Sequence, residues 1–247
     1  LLTLPSIYYR GEGFFMLLSL ILACTLGYNH DSEGVSLSFE QTAAAHYFYY
    51  EKAFETSVRI MSFIDDQEVG HASGNYFKIG HHHFIITAAH VITGQETLYA
   101  EDYKDKIELE LAYLDTGNDI AFLIPKKRLK SATPMHYRTN KKLDILGQTM
   151  VYAGYPADLN KSVFHGTVST QSRYSFMMQS FALPGASGSV VFDSKGLIVG
   201  VLSAIKVGYH GLGPYPQLHG TLVFVNRLNF YDRYMLEEIL VKWKNSK

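Results

Sequence analysis

The chain has 247 residues, 47% of them hydrophobic, and 22 Lys and Arg against 23 Asp and Glu give a net charge of −1. Near-neutrality excludes nucleic acid as the main partner, because gripping phosphates needs clustered Lys and Arg. A single cysteine, Cys24, excludes an intrachain disulfide, so packing alone must stabilise a body whose length suits one large all-β domain. In chain order, residues 1–27 read as a hydrophobic signal or anchor segment. The uncharged run from Phe14 to Leu26 (FFMLLSLILACTL) is shorter than the about 20 residues of a spanning helix and fits the about 7–15 of a signal core. Ile21-Leu22-Ala23-Cys24 loosely resembles a lipoprotein processing box, so a lipid anchor at Cys24, cleavage near Gly27 and an uncleaved anchor all stay open. Arg10-Gly11-Glu12-Gly13 can be encoded by a purine-rich stretch before Met16, which makes Met16 the expected start.

Residues 28–55 read as a linker and a helix: 28–37 are polar, and Phe39 to Phe54 is helical, with Ser38 as cap and Gln41 three residues on. His46 within it is a packing residue. From Ser57 the pattern turns to strands, expected at 58–64, 74–79, 83–88, 97–101, 106–114 and 120–124, then at 149–154, 162–170, 174–180, 189–193, 197–204 and 221–226. Six and six suit two antiparallel β-barrels, about 56–140 and about 141–228, within a body of 56–247. Phe230 to Trp243 has helical periodicity, with Leu236, Ile239 and Leu240 on one face, and gives a C-terminal helix over about 229–243. The 18 Tyr and 15 Phe belong to cores and cross-strand pairs and imply no aromatic binding box.

Three stretches carry chemistry: Thr87-Ala88-Ala89-His90, Asp119-Ile120-Ala121-Phe122-Leu123 and Gly185-Ala186-Ser187-Gly188-Ser189. A serine hydroxyl is a poor nucleophile unless an imidazole takes its proton, and a carboxylate must fix that imidazole's tautomer. The order His, Asp, Ser is one of three in which unrelated folds build this arrangement. His90 ends an apolar run, Asp119 follows the turn signal Gly117-Asn118, and Ser187 lies between Gly185 and Gly188 in a tight loop. Such a loop can aim the amides of Gly185 and Ser187 at one point, as an oxyanion hole requires. Asp115 competes with Asp119 as the acid, but Asp119 directly precedes the apolar strand. Ser189 competes with Ser187, but Ser187 has the flanking glycines.

These motifs resemble the trypsin/chymotrypsin superfamily, and within it the disulfide-free bacterial HtrA/Deg-type and glutamyl-endopeptidase-like branch, over roughly residues 56–243. TAAHV is similar to the family's His motif, NDIAFL to its Asp motif, and PGASGSVVFDSKGLIVGVLSAI to its Ser motif and following hairpin. The resemblance implies a chymotrypsin-like double barrel and serine endopeptidase activity without cofactor or metal. His90 would be the general base, Asp119 its orienter and Ser187 the nucleophile, with protein or peptide as substrate. It also implies a primary pocket shaped by Phe181, Ser203 and Ile205, suited to a small or medium apolar residue. Ala186 stands where pancreatic-type enzymes have an aspartate, so activation by a freed N-terminus is not expected. Ser189 replaces the usual second glycine, and no residues remain for a PDZ module. A catalytically silent pseudoprotease and a virus-encoded polyprotein-processing protease are the alternatives. The expected location is exported or membrane-associated, tethered through 14–26.

Two features are read as structural. His81-His82-His83 is a polar hairpin turn, since adjacent strand residues point to opposite faces and rarely share one ion. The basic run Lys126-Lys127-Arg128 with Lys130 is a solvated loop.

Overall fold

In the computed structural model the described residues are 49–157, 159–208 and 217–247, with side chains outside 204–221. The 1–38 readings, including Cys24, lie outside them, as do His46 and the Ile205 side chain. The described part of the expected N-terminal helix, α1, covers 49–56, two residues past its expected end. Thirteen strands follow, with a one-turn helix among them and a closing helix after them.

The first barrel is built from β1 (Ser57–Ile64), β2 (Gln67–Ile79), β3 (His82–Thr87), β4 (Thr97–Asp102), β5 (Asp105–Asp115) and β6 (Ile120–Pro125). Their order is β1-β4-β5-β6-β3-β2, and pairing of β1 with β2 closes it. The two-residue β7 (Met135–His136) adds to β2 in parallel. The second barrel is closed in the order β10-β13-β12-β11-β8-β9. Its strands are β8 (Thr149–Gly154), β9 (Ser162–Gln171), β10 (Ser175–Gln179), β11 (Val190–Asp193), β12 (Ile198–Gly208) and β13 (Gln217–Arg227).

The two-residue period of the strands sorts their apolar side chains between two kinds of core. On β8, Met150 and Tyr152 fill the second barrel while Val151 and Ala153 face outward into a shared cluster. On β3, Ile85 enters the first barrel while Phe84 and Ile86 join that cluster. Phe122 of β6 and Phe192 of β11 also belong to it, so barrel exteriors pack on one another through aromatic rings. A fully buried side chain of this size contributes about 1.5–3 kcal/mol, so the seam holds without a cross-link. It leaves the loops at one end of both barrels around a common cleft.

The short helix α2 (Ala89–Ile92) and β7 are absent from the expected elements. α2 is a single turn without a side-chain cap, below the length at which periodicity registers. The closing helix α3 is Arg233–Asn245, later than expected, because the Asp232 side chain caps it by accepting from the Met235 amide at 2.9 Å. Leu236, Ile239 and Leu240 are buried on its inner face as expected.

Asp102, at the end of β4, fastens the 130–131 loop to the first barrel. It accepts from the Lys130 amide at 3.0 and 2.9 Å and from the Ser131 amide at 2.5 Å. Burial pushes its carboxyl up, but the bonds from Ser131 and Lys130 outweigh that and hold it below the ordinary range. A folded-state value below the unfolded one stabilises above the unfolded value, about 3.9, and that stability is lost as pH falls through the folded one. Asp102→Ala should therefore cost about 1–3 kcal/mol near neutrality, read by urea unfolding. The gap to wild type should close in acid, and a gap constant with pH would exclude the ionised role.

Candidate active site

His90 lies in α2, where the chain turns out of β3, and Asp119 lies just before β6, which pairs with β3 at Thr87↔Ala121. That pairing sets the two side by side. The His90 amide donates to Asp119 Oδ1 at 2.8 Å, and His90 Nδ1 lies 3.1 Å from Oδ1 and 2.9 Å from Oδ2. An ionised carboxylate only accepts, so the proton is assigned to Nδ1 and Nε2 keeps its lone pair. The Ser203 hydroxyl also donates to Asp119 Oδ2. Burial pushes the Asp119 carboxyl up, but the hydrogen bonds from His90 and Ser203 prevail and leave it below its ordinary value. The imidazole side chain is 50% exposed and the carboxylate 19%, so the ring faces solvent while its partner is covered.

Asp119 takes a left-handed backbone, φ 53°, after a turn organised by Asp115. That residue, the rival acid, accepts from the Asn118 amide and side chain at 2.9 Å each and from the Tyr231 hydroxyl at 2.5 Å. Its carboxylate is occupied in building the turn that presents Asp119.

Ser187 comes from the second barrel, in the loop before β11, yet the loop is fastened to the first. Ser73 of β2 donates its amide to Ser187 O at 2.9 Å and its hydroxyl to Gly185 O at 2.7 Å. The same hydroxyl accepts from the Tyr155 amide at 2.9 Å, and the Ala157 amide donates to Pro184 O at 2.6 Å. The close approach demands glycine. A Cβ on Gly188, at φ 89°, would lie 2.1 Å from Ser73 O and 2.2 Å from Thr87 Oγ1. Ser189 stands where the family has glycine, but its φ is not positive, so the side chain brings no left-handed strain. It is fully buried, whereas Ser187 is partly exposed.

Within the loop, the amides of Ala186, Gly188 and Ser189 donate to Leu183 O, Leu202 O and Ala186 O. Those of Gly185 and Ser187 have no acceptor among the described residues. Two free amides thus flank one partly exposed hydroxyl. A cleft of about 260 Å³ is lined by His90, Ser187, Gly185, Pro184 and His71, among others. A larger cavity, of about 900 Å³, exists elsewhere, so volume does not single out this cleft; the His–Asp pair and the free amides do. No hydrogen bond joins His90 to Ser187.

Two of the remaining expected site residues, Phe181 and Ser203, have described side chains. The Ser203 hydroxyl is turned to Asp119, and residue 203 is skipped in the β12–β13 register. Phe181 is exposed, 6.0 Å from the Phe164 ring, with its carbonyl accepting from the Tyr152 hydroxyl. Sequence reasoning missed Ser73 and also His71, whose Nε2 lies 3.2 Å from Tyr155 O at the cleft wall. Neither sits in a motif.

Two closed six-stranded barrels with a helix after the second define a chymotrypsin-like fold. Residues 72–201, more than half of the chain, match the trypsin-like peptidase domain, and the chain belongs to that family. It is 27% identical over 166 residues to the protein named serine protease HtrA-like in each of two strains of Staphylococcus epidermidis, covering 60% of this chain. The match spans 28% of the length of those relatives. The crystal structure of a serine endoprotease from Yersinia pestis superimposes with a TM-score of 0.60 at 17% identity, covering 83% of this chain and 68% of that one.

Proposed function

We propose that this chain is a serine endopeptidase that hydrolyses peptide bonds of protein or peptide substrates through an acyl-enzyme. Ser187 Oγ attacks the scissile carbonyl carbon while His90 Nε2 takes the hydroxyl proton. The carbonyl oxygen becomes an oxyanion held by the Gly185 and Ser187 amides, and Asp119 stabilises the imidazolium. Collapse expels the amine, which receives the proton from His90. Water then enters, loses a proton to His90, attacks the ester carbon and releases the acid, returning the proton to Ser187. The carrying observation is the pair of unsatisfied amides beside a partly exposed serine in the cleft that holds His90. The missing bond between His90 and Ser187 suits a substrate-free site, where catalytic hydrogen bonds are long and tighten on binding.

Exposed Phe181 at the edge of the nucleophile loop supports a small or medium apolar residue on the acyl side of the cleaved bond. The apolar run 14–26 supports an exported or membrane-tethered enzyme. No described helix is long and apolar enough to cross a membrane, and the run itself lies outside the described residues.

One experiment addresses activity and location together. Cells expressing the full chain are fractionated and treated with a fluorophosphonate probe. Labelling at Ser187, in the envelope or medium, is expected. An unlabelled but folded protein would identify the alternative, a pseudoprotease that binds without turnover, and labelling confined to the cytosol would end the export reading.

A further inference from the structure

The histidine tract and the basic run take no part in the cleft, yet the fold brings them together. β3 begins at His82 and runs antiparallel to β6, with Ile85 opposite Leu123, so the chain entering β3 lies beside the chain leaving β6. The turn is Gly80–His81, and His82 and His83 lie within β3 itself. Helix α3 brings Leu240 and Trp243 to the same place. Between them is a cavity of about 250 Å³ that shares no lining residue with the cleft.

Three buried polar atoms on residues lining it have no hydrogen-bond partner: Tyr76 Oη, His83 Nδ1 and Trp243 Nε1. The Tyr76 and His83 rings lie 5.4 Å apart. Burial pushes the Tyr76 hydroxyl up, and the Leu129 backbone beside it offsets that only in part, so the hydroxyl keeps its proton and can donate. Buried polar groups are nearly always paired, so three orphans on residues that line one cavity are groups a ligand there could satisfy once those side chains turn toward it. All three can donate, and the indole N–H can do nothing else.

The charge left unpaired around them has one sign. Lys126 is paired with Glu108 at 2.6 Å and Glu110 at 3.9 Å, and Lys247 takes Glu110 at 2.8 Å. Asp102, the carboxylate acting on Tyr76, is saturated by the Lys130 and Ser131 amides. Lys127 and Arg128 have no carboxylate partner among the described residues. Burial, then Arg128, Lys78 and His82, push the His83 pKa down, which keeps its ring neutral near pH 7.

We propose that this pocket binds a phosphate group, as inorganic phosphate or a small phosphomonoester. A dianion matches two unpaired cations, its unprotonated oxygens can accept from the side-chain donors of the wall, and the guanidinium of Arg128 suits bidentate contact. The cavity has room for the phosphate and the first atoms of what carries it. The site is separate from the proposed hydrolysis and does not depend on it.

Trp243 is the one tryptophan of the chain, so its emission reports on the pocket directly. The full chain is titrated with inorganic phosphate at ionic strength held constant with sodium chloride, and the titration is repeated by calorimetry. A saturable emission change with a matching heat is expected. The Lys127→Gln/Arg128→Gln double variant should bind at least tenfold more weakly while retaining wild-type fluorophosphonate labelling and circular dichroism. Glycerol phosphate binding as tightly as inorganic phosphate would show that the pocket accepts a carried group, and much weaker binding that it takes the free ion. Absence of both signals, equal affinity in the double variant, or an equal response to acetate would overturn the proposal.

Discussion

Ser187→Ala should lower turnover of a cleavable peptide by on the order of 10⁶-fold in kcat, with little change in the thermal midpoint. The hydroxyl is partly exposed and makes no hydrogen bond among the described residues, so its removal leaves no buried group unpaired. The loop stays in place because its fastenings run through the Ser187 and Gly185 carbonyls, which the substitution does not touch. Residual turnover above the uncatalysed rate should remain, because the free amides can still hold an oxyanion. Wild-type turnover in a folded Ser187→Ala protein would remove Ser187 from the mechanism. Loss of turnover together with a lowered midpoint would point to a structural hydroxyl instead.

Asp119→Asn should cost about 10⁴-fold in kcat near neutral pH. The asparagine amide would donate toward His90 Nδ1, which must then carry the lone pair, moving the ring proton to Nε2, where it cannot receive one from Ser187. The wild-type pH profile carries a related expectation. Burial pushes the Asp119 carboxyl up, but the bonds from His90 and Ser203 keep it below its ordinary value. It therefore stays ionised as pH falls toward the ordinary carboxylate range. The acid limb of log(kcat/KM) should have a slope of one, with no proton taken up by this carboxylate. A slope of two would mean that the carboxylate titrates in the same range and is not held ionised as the geometry requires.

Much of this site was legible because its parts are local. His90, Asp119 and Ser187 each sit in a short motif whose neighbours declare a strand end or a glycine turn. The choice of Asp119 over Asp115 rested on its place before an apolar strand, and the structure adds that Asp115 is consumed by Asn118 and Tyr231. The barrels were legible for the same reason: period-two alternation and turn residues mark most strands within one or two positions. What stayed hidden acts across long separations. Ser73 reaches Gly185 over 112 residues through a hydroxyl, and Ser187 through its own amide, and nothing around Ser73 in the chain distinguishes it from any strand serine. β2 begins at Gln67, well before its expected start, because Gly70-His71-Ala72-Ser73 lacks alternating apolar residues and is held by pairing with β1. Ser203 was read as lining the cleft, and only the fold reveals that its hydroxyl belongs to Asp119.

The fastening of a second-barrel loop by a first-barrel serine has a consequence for the order of events in synthesis. Both barrels belong to one compact unit, Phe39–Lys247, but synthesis delivers the strands of the first before those of the second. When the first barrel closes, His90 and Asp119 meet at once, since both belong to it. The loop that carries Ser187, and the Leu202 carbonyl that accepts the Gly188 amide, are still being translated. On the proposed reading, the nascent chain leaves the ribosome with its acid–base machinery assembled and nothing for it to act with. Cutting power would arrive only when β12 reaches its place and the loop settles on Ser73, so the producing cell is shielded by the sequence order itself until β12 has been made.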